Sequence, residues 1–320
     1  MSQPSDDEIR VGVSACLLGE EVRWDATAKR NSFVVDVLSG HVRYVPVCPE
    51  MEMGLGVPRE PIRLVRRGDE VRLVGGTSGQ DHTETMRRFA EARVAALAPL
   101  DLDGFILKAR SPSCGMERVP VRDHNDVPAK IGRGAFAAVL MDSLPLLPVE
   151  EEGRLNDPRL RENFVERLFA HRRLRRFIAA GYSVGGLVEF HSREKLLIMA
   201  HDPATYSALG RLVAGAKGRD PVELMTEYRA GFLKGLARLA SLGRQTNVLQ
   251  HVAGYFSERL GSDDRAEMTE LIHSYREGLV PLVVPLTLVR HWVRHFGIEY
   301  LAQQTWLDPH PRELMLRNHA

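Results

Sequence analysis

Three cysteines, and no others, stand in this chain of 320 residues. Each follows an apolar, strand-like run. Cys16 closes Ile9-Arg-Val-Gly-Val-Ser-Ala-Cys16, Cys48 closes Val42-Arg-Tyr-Val-Pro-Val-Cys48, and Cys114 ends Gly104-Phe-Ile-Leu-Lys-Ala-Arg-Ser-Pro-Ser-Cys114. In an open parallel sheet the loops after the strands gather at one edge, and ligands bind there. Thiols 32 and 66 residues apart along the chain can therefore meet in space. Three is an odd number for disulfides and a natural one for a metal centre with an open position. On the residues alone three readings stay open. The thiols are inert and pack as small hydrophobes. They hold zinc, which wants a further ligand or a water and for which no C-x-x-C pair is present. Or they hold a [4Fe–4S] cluster, one iron per cysteine, leaving the fourth iron open to a soft atom such as sulfur.

Polar residues beside these thiols have types that suit proton chemistry. Glu50 lies two residues after Cys48, in Cys48-Pro-Glu50. In a closed pocket near thiolates its charged form is disfavoured, so it is expected to carry a proton at neutral pH; the alternative is a solvated loop carboxylate. Ser111, in Ser111-Pro-Ser-Cys114, can reach a substrate or its water, or it is a turn residue ahead of Pro112. Lys108, at the end of its strand, is expected to offset the negative charge of a cluster or to pair with Glu50.

The elements that must position these residues alternate in the first half. Strands are expected at Ile9–Ser14, Arg43–Val47, Ile62–Val65, Val71–Val74, Gly104–Lys108 and Leu146–Val149, and helices at Ser32–Ser39, His82–Ala98 and Gly134–Asp142. Such alternation implies an α/β domain with a mostly parallel sheet. The pair Ile62–Val65 and Val71–Val74 reads as a hairpin appended to that sheet. Beyond an acidic, proline-bearing boundary at 145–153 the pattern becomes all-α. Asp157-Pro158, Asp202-Pro203 and Asp220-Pro221 each open an amphipathic run, because Asp caps a helix and Pro fits its first position. Helices are expected near 158–180, 185–200, 203–217, 221–241, 246–260, 263–278, 282–296 and 299–306. The division is thus 1–150 and 151–320.

Composition excludes little. The hydrophobic fraction of 44% and charged fraction of 27% are ordinary for a soluble protein. The acidic, polar start argues against a signal peptide, and the most apolar stretch, near 279–289, is too short to span a bilayer. Free thiols fit a cytoplasmic location. The net charge of +1 conceals a division: residues 1–150 carry 19 Lys+Arg against 22 Asp+Glu, and the remainder is net +4. The helix at 158–180 holds Arg159, Arg161, Arg167, Arg172, Arg173, Arg175 and Arg176 against Glu162 and Glu166. A solvated face is the plain reading; a phosphate-contacting surface is the functional one, since guanidinium forks match phosphate. His251 reads as a satisfied core histidine.

Taken together, Ser14-Ala-Cys16-Leu-Leu-Gly19, Val22-Arg-Trp-Asp25, Cys48-Pro-Glu50 … Pro58-Arg59 … Pro61 and Leu107-Lys-Ala-Arg-Ser-Pro-Ser-Cys114-Gly115 resemble the thiouracil desulfidase (TudS) family. The resemblance implies a [4Fe–4S] cluster with ligands Cys16, Cys48 and Cys114 and one open iron. It also implies catalytic roles for Glu50 and Ser111 and non-redox replacement of a thiocarbonyl sulfur by oxygen, with no obligate redox partner. Glu194-Lys-Leu-Leu-Ile-Met-Ala-His201, Asn247-Val-Leu-Gln-His251, Tyr275-Arg-Glu-Gly-Leu and Tyr300-Leu-Ala-Gln-Gln-Thr305 resemble the YbgA-type helical domain. That domain occurs behind the cluster domain in RudS-type desulfidases of 4-thiouridine in tRNA. The resemblance therefore implies tRNA as partner, with Lys108, Arg172, Arg173, Arg175 and Arg176 as candidate contacts; an oligomer is compatible with it. The alternatives are a desulfidase of free thiouracil or thio-nucleotides, and a non-catalytic iron–sulfur sensor that binds RNA. Two loop positions depart from the family's common form: Asp25-Ala26 where Asp-Gly is frequent, and Met53-Gly54-Leu55-Gly56 where Gly-Gly-Leu is frequent.

Overall fold

A computed structural model describes residues 8–319. The chain divides into two compact units, Met1–Asp157 and Pro158–Ala320. In the first, strands β1 (Arg10–Ser14), β2 (Arg43–Val47), β5 (Gly104–Leu107) and β8 (Val149–Glu151) form one sheet in the order β2-β1-β5-β8. Every pairing in it is parallel. β1 and β5 are its inner strands and are buried almost throughout, as parallel strands covered on both faces must be.

The expected hairpin, β3 (Ile62–Arg67) and β4 (Glu70–Gly75), is present, but it does not extend that sheet. It joins β6 (Val119–Arg122) and β7 (Pro128–Gly132) in a second sheet ordered β4-β3-β6-β7, with β3 and β6 parallel at its centre. The β6–β7 hairpin carries Pro120 and Pro128 around an Asp-His-Asn-Asp turn, a composition that weakens any strand pattern. The last strand falls at Val149–Glu151 rather than Leu146–Val149. Pro145 and Pro148 lack the N–H a ladder needs, and pairing starts where the Pro148 carbonyl accepts the Phe105 N–H at 2.8 Å. The strand and Glu152 thus belong to the first unit, which runs past residue 150. Where a helix was expected at Ser32–Ser39, the chain makes two short turns, Phe33–Val37 and Leu38–Gly40. Helices α1 (Pro49–Glu52), α2 (Thr83–Leu97) and α3 (Ala135–Ser143) complete this unit. α2 and α3 bury Met86, Ala90, Phe136 and Leu140 in the same apolar core as Phe105.

The second unit is helical: α4 (Pro158–Ala179), α5 (Val184–His201), α6 (Pro203–Ala214), α7 (Pro221–Leu236), α8 (Leu242–Ala253), α9 (Ser262–Arg276), α10 (Val283–Phe296) and α11 (Glu299–Ala302). Asp202 and Asp220 cap as their sequence context predicts, accepting the N–H of Ala204 at 3.2 Å and of Glu223 at 2.9 Å. α8 starts earlier than its apolar spacing indicates, because Ser241 caps it. His251 is exposed rather than in the core. Tyr228 and Phe232 are fully buried in the core of the unit, and the half-buried Phe190 stacks on the half-buried Phe177 and sits edge-on to both. Among the described residues no helix is long and apolar enough to cross a membrane.

Candidate active site

The strand order makes β2, β1 and β5 neighbours, and these are the strands whose ends lead to Cys48, Cys16 and Cys114. All three cysteines line one cleft of about 360 Å³, within the usual size of small-ligand sites. Glu50, Ser111 and Lys108 line it too. The residues singled out in the first unit therefore share one cavity. Arg172, Arg173, Arg175 and Arg176 lie on α4, in the second unit.

Three different loop devices hold the thiols. Cys16 sits in a single helical turn, Ala15–Leu18, that ends at Gly19 in the left-handed region, φ 100°. Its carbonyl accepts the N–H of Lys29 at 2.9 Å. Cys48 is the N-cap of α1: Pro49 opens the turn, and the Glu52 carboxylate reaches back to accept the Cys48 N–H at 2.9 Å. Cys114 follows a Ser-Pro-Ser turn docked on the start of α3. There the Ala135 and Phe136 N–H groups donate to the Pro112 and Ser113 carbonyls, each at 2.9 Å. This approach requires Gly134, because a Cβ there would lie 2.5 Å from the Ser113 carbonyl oxygen. Ser14 joins the strand ends: its hydroxyl accepts the Lys108 N–H at 2.9 Å and bonds the Cys114 sulfur.

Burial dominates the thiol electrostatics. It pushes the Cys16 thiol up to about 11, with the Lys108 charge pulling the other way. Cys48 and Cys114 are raised for the same reason, against N–H bonds at Cys48 and hydroxyl bonds from Ser14 and Ser113 at Cys114. Without a bound metal these are neutral thiols at pH 7. The Coulombic coupling of Cys16 to both Cys48 and Cys114 reflects how close the sulfurs lie.

The carboxylate has a partner that the sequence reading did not name. Arg59 donates to Glu50 Oε2 twice, from Nε at 3.0 Å and Nη2 at 2.6 Å. The pair is nearly dry, with side-chain exposures of 6% and 14%. Arg59 also ties its loop together, donating to the Gly56 carbonyl at 2.7 Å and the Val22 carbonyl at 3.0 Å. The other oxygen, Oε1, accepts from the buried Ser113 hydroxyl at 2.6 Å. Arg59 stands in the Pro58-Arg59 motif, so a signal for it was present; Ser113 is the second serine of Ser-Pro-Ser. Lys108 does not pair with Glu50. Its ammonium contacts Glu152 at 2.5 Å, because β5 and β8 run parallel with Leu107 opposite Glu151, which sets the next residues side by side. Glu52 caps Cys48 and meets Arg93 at 2.8 Å, and Asp25 closes its own turn onto Thr27. Both carboxylates serve the loops.

Ser111 is the turn residue and also lines the cleft. Its Oγ accepts the N–H of Cys114 at 3.1 Å and of Ser113 at 3.3 Å. It lies 2.9 Å from Ser113 Oγ. Since Ser113 gives its own proton to Glu50, the Ser111 hydroxyl is the donor of this pair. The result is a line from Ser111 through Ser113 to Glu50.

In the second unit Arg173 is drawn inward from the expected RNA-contacting set. It forks onto Glu194, itself only 2% exposed, at 2.6 and 3.0 Å, and bonds the Pro309 carbonyl. Arg172 and Arg175 are half-buried, and Arg176 is exposed.

The family described as 2-thiouracil desulfurase matches residues 11–152, and the family of proteins of unknown function DUF1722 matches residues 195–311. The uncharacterised protein YbgA of Escherichia coli (strain K12) is 33% identical over 165 residues, 51% of this chain and 98% of that protein. The uncharacterised protein YbbK of Bacillus subtilis (strain 168) is 32% identical over 108 residues, 32% of this chain and 71% of that protein. A solved structure of a [4Fe-4S]-dependent thiouracil desulfidase, TudS, is 30% identical, covers 47% of this chain and 95% of its own, and has a TM-score of 0.39. The strand-end cysteines and the helical region behind them accordingly identify the chain as a member of the 2-thiouracil desulfurase family that carries a YbgA-type second part.

Proposed function

We propose that the first unit is an iron–sulfur desulfidase that replaces the sulfur of a thiolated uracil by oxygen, and that its substrate is 4-thiouridine in tRNA. One observation carries this reading: three thiols from three adjacent strand ends open into a single cleft with Glu50 on its wall. Among the described residues lining that cleft the possible donors are three sulfurs and the Glu50 carboxylate, which Arg59 and Ser113 already engage, with no histidine; this fits a [4Fe–4S] cluster held by Cys16, Cys48 and Cys114. When bound, the cluster supplies a Lewis-acidic iron for a thiocarbonyl sulfur.

The reaction is a hydrolysis. A C–O bond forms from water, the C–S bond breaks, and the two water protons leave with the sulfur as hydrogen sulfide. Electrons balance without an oxidant or reductant, so no redox partner is required. Glu50 receives the proton of the attacking water, and Arg59 holds the carboxylate in place for it. Ser111 lines the cleft with its hydroxyl turned onto Ser113, and the bonds through Ser113 give a proton that arrives at Ser111 Oγ a continuous path to Glu50 Oε1. The Ser14 and Gly134 contacts keep the Cys114 loop from drifting, which serves the positioning that such chemistry needs.

The net positive second half supports RNA as the carrier of the base, as do the exposed Arg176 on α4 and the exposed His291, Arg294 and His295 beside Trp292 on α10. Drawing a base out of its stack costs a few kcal/mol, which phosphate contacts offset. Three free cysteines support a reducing cytoplasm as the protein's location. The test is anaerobic purification of the full chain, assay of iron and labile sulfide, and incubation with thiolated tRNA followed by nucleoside analysis. Loss of 4-thiouridine with matching sulfide release over many turnovers is expected, and Cys16→Ala, Cys48→Ala or Cys114→Ala abolishes both colour and turnover. An oxygen-free preparation containing no iron, or tRNA bound but never desulfurated, refutes the proposal.

A further inference from the structure

Helix α4 carries two acidic side chains into the interior of the second unit. Glu162 and Glu166 are four residues apart, so they share one face of the helix. A buried guanidinium lies between them. Arg317 donates from Nε to Glu162 Oε1 at 3.1 Å and from Nη2 to Glu166 Oε1 at 2.7 Å. His201 Nε2 lies 3.0 Å from Glu166 Oε2, and His319 Nε2 lies 3.2 Å from Glu162 Oε2. Two carboxylates in a dry interior repel each other. Burial, and then the charge of Glu166, push the Glu162 carboxyl up, with Arg317 pulling the other way.

An acidic pair bridged by an arginine is by itself an ordinary buried network. His310 sets this one apart. It is only 9% exposed, and it brings a ring nitrogen within 4.8 Å of a carboxylate oxygen of both Glu162 and Glu166. Its Nδ1 lies 3.1 Å from the Pro311 carbonyl, which can only accept, so Nδ1 carries the ring hydrogen. Burial first, then the charge of Arg317, hold this imidazole below the ordinary histidine range, so it is neutral at pH 7. Nε2 is therefore a bare lone pair, and among the described residues it has no hydrogen-bond partner. Burying such an acceptor unmatched is costly. The segment that bears it is tied down on both sides of the ring. Arg173 of α4 donates to the Pro309 carbonyl at 3.0 Å, and Arg317 Nη1 donates to the Trp306 carbonyl at 2.6 Å. Three acceptors gathered this closely call for a cation among them.

We infer that Glu162, Glu166 and His310 form a binding site for a divalent transition-metal ion of the zinc type. The donor set selects the class of ion. Imidazole nitrogen with carboxylate oxygen suits zinc, whereas magnesium and calcium take oxygen ligands. A ring N–H spent on a backbone carbonyl, as in His310, is the arrangement that orients metal-bound histidines. Zinc holds such ligands at about 2.0–2.2 Å, so a small inward movement of the three side chains closes them on the ion. Arg317 supplies one positive charge against two carboxylates, and each carboxylate has lone pairs to spare. Beside Glu162 and Glu166 lies a cavity of about 80 Å³, also lined by Asn163, Gln245 and Tyr275. It has room for water at a fourth coordination position. The site uses no residue of the first unit, so it stands or falls independently of the desulfidase reading.

Thiols bind zinc as well, so the test uses the full chain carrying Cys16→Ser, Cys48→Ser and Cys114→Ser. Zinc and magnesium are titrated against it in competition with a chromogenic chelator. One zinc per chain is expected, with magnesium weaker by more than about a hundredfold. Zinc affinity should rise with pH, because the ion displaces the proton that burial favours on Glu162. His310→Ala should weaken zinc binding by more than about tenfold. Its Nε2 bonds nothing in the metal-free protein, so the metal-free variant should unfold at the parent temperature. Glu162→Gln, which keeps an oxygen for Arg317, should weaken binding likewise. Zinc should raise the unfolding temperature of the parent and leave that of His310→Ala unchanged. If the serine chain does not fold, the chain with its cysteines should bind one zinc more than its own His310→Ala variant. No zinc bound, parent affinity retained by both variants, or magnesium bound as tightly as zinc overturns the inference; the last result would mark no more than a cluster of negative charge.

Discussion

Removing Arg59 should unfold the candidate site from its carboxylate outwards. In Arg59→Ala, Glu50 keeps the Ser113 hydroxyl but loses two charge-assisted bonds, the Gly56 carbonyl loses its side-chain donor, and the Val22 carbonyl keeps only the weak Cys48 thiol at 3.8 Å. Breaking a buried ion pair on one side costs about 3–5 kcal/mol, because the remaining charge stays desolvated. Each orphaned carbonyl adds about 1–3 kcal/mol where water cannot enter and little where the vacated side chain lets water in. With 6% and 14% side-chain exposure, little of this is screened. A loss of about 4 kcal/mol is therefore expected from a domain whose whole stability is about 5–15 kcal/mol. Arg59→Lys should lose about half as much, since the charge remains but the fork does not. The decisive measurement is a double-mutant cycle with Glu50→Gln and Arg59→Met. Native-state hydrogen exchange of the β1 and β5 amides against urea reads the first unit alone. The double variant should be more stable than the sum of the two singles implies, by about 2 kcal/mol. Strictly additive losses, or an Arg59→Ala protein with unchanged exchange and unchanged turnover, would show that the pair neither holds the loop nor positions the carboxylate.

Further expectations concern other parts of the molecule. Ser113→Ala removes the only hydroxyl donor to Glu50 Oε1 seen among the described residues, so steady-state kinetics on thiolated substrate should show a fall in kcat with little change in KM; Ser113→Thr should restore part of it. Arg173→Ala strands the buried Glu194 and should cost the helical unit about 3 kcal/mol in chemical denaturation, unlike a surface arginine. His191, packed edge-on against Tyr228, is pushed down to about 4 by burial and by the charge of Lys195. The unfolded chain takes up a proton near 6.5 and the folded one does not, so this stability is complete above about 6.5 and drains away as pH falls towards 4. Thermal unfolding of the helical unit between pH 7 and 4.5 should show that loss, reduced in His191→Phe; an identical slope in the variant would remove His191 as the cause.

Much of the helical unit was legible because its signals are local. An Asp-Pro pair states both cap and first turn, and each such start falls within a residue or two of its expected place. The exception, α8, begins with Ser241 and a glycine in its first turn, where glycine otherwise reads as an end. The parallel sheet was legible from runs of Val, Ile and Leu, whereas β6 and β7 hide among prolines and charges. Ion-pair partners were not legible. Glu50 and Arg59 are nine positions apart, and Lys108 and Glu152 meet only through the register of two parallel strands. A charge in a sequence shows what it can pair with; only the fold selects which partner it meets.

The same reasoning explains why three cysteines so far apart in sequence form one site. Strand runs before Cys16, Cys48 and Cys114 imply only that each thiol sits at a strand end. Had β5 lain at the far edge, with β8 between it and β1, Cys114 would have stood a full strand spacing of about 4.8 Å further from Cys16. The observed order, β2-β1-β5-β8, sets the first strand of the chain between the other two cysteine-bearing strands. Cys16 is then the central thiol and is coupled to both others. Parallel direction sends all three loops to the same edge, and Ser14 locks the two inner ends with one hydroxyl. Exchanging Ser14 for Ala leaves the thiols themselves intact, yet it frees the Lys108 N–H and one bond to the Cys114 sulfur. Cluster retention under dilution should therefore fall in Ser14→Ala, read as the rate at which visible absorbance decays, while Ser14→Thr, which keeps the hydroxyl, retains the parent rate. A Ser14→Ala protein that keeps its colour as long as the parent would mean that the strand order alone, without this tie, is enough to hold the trio together.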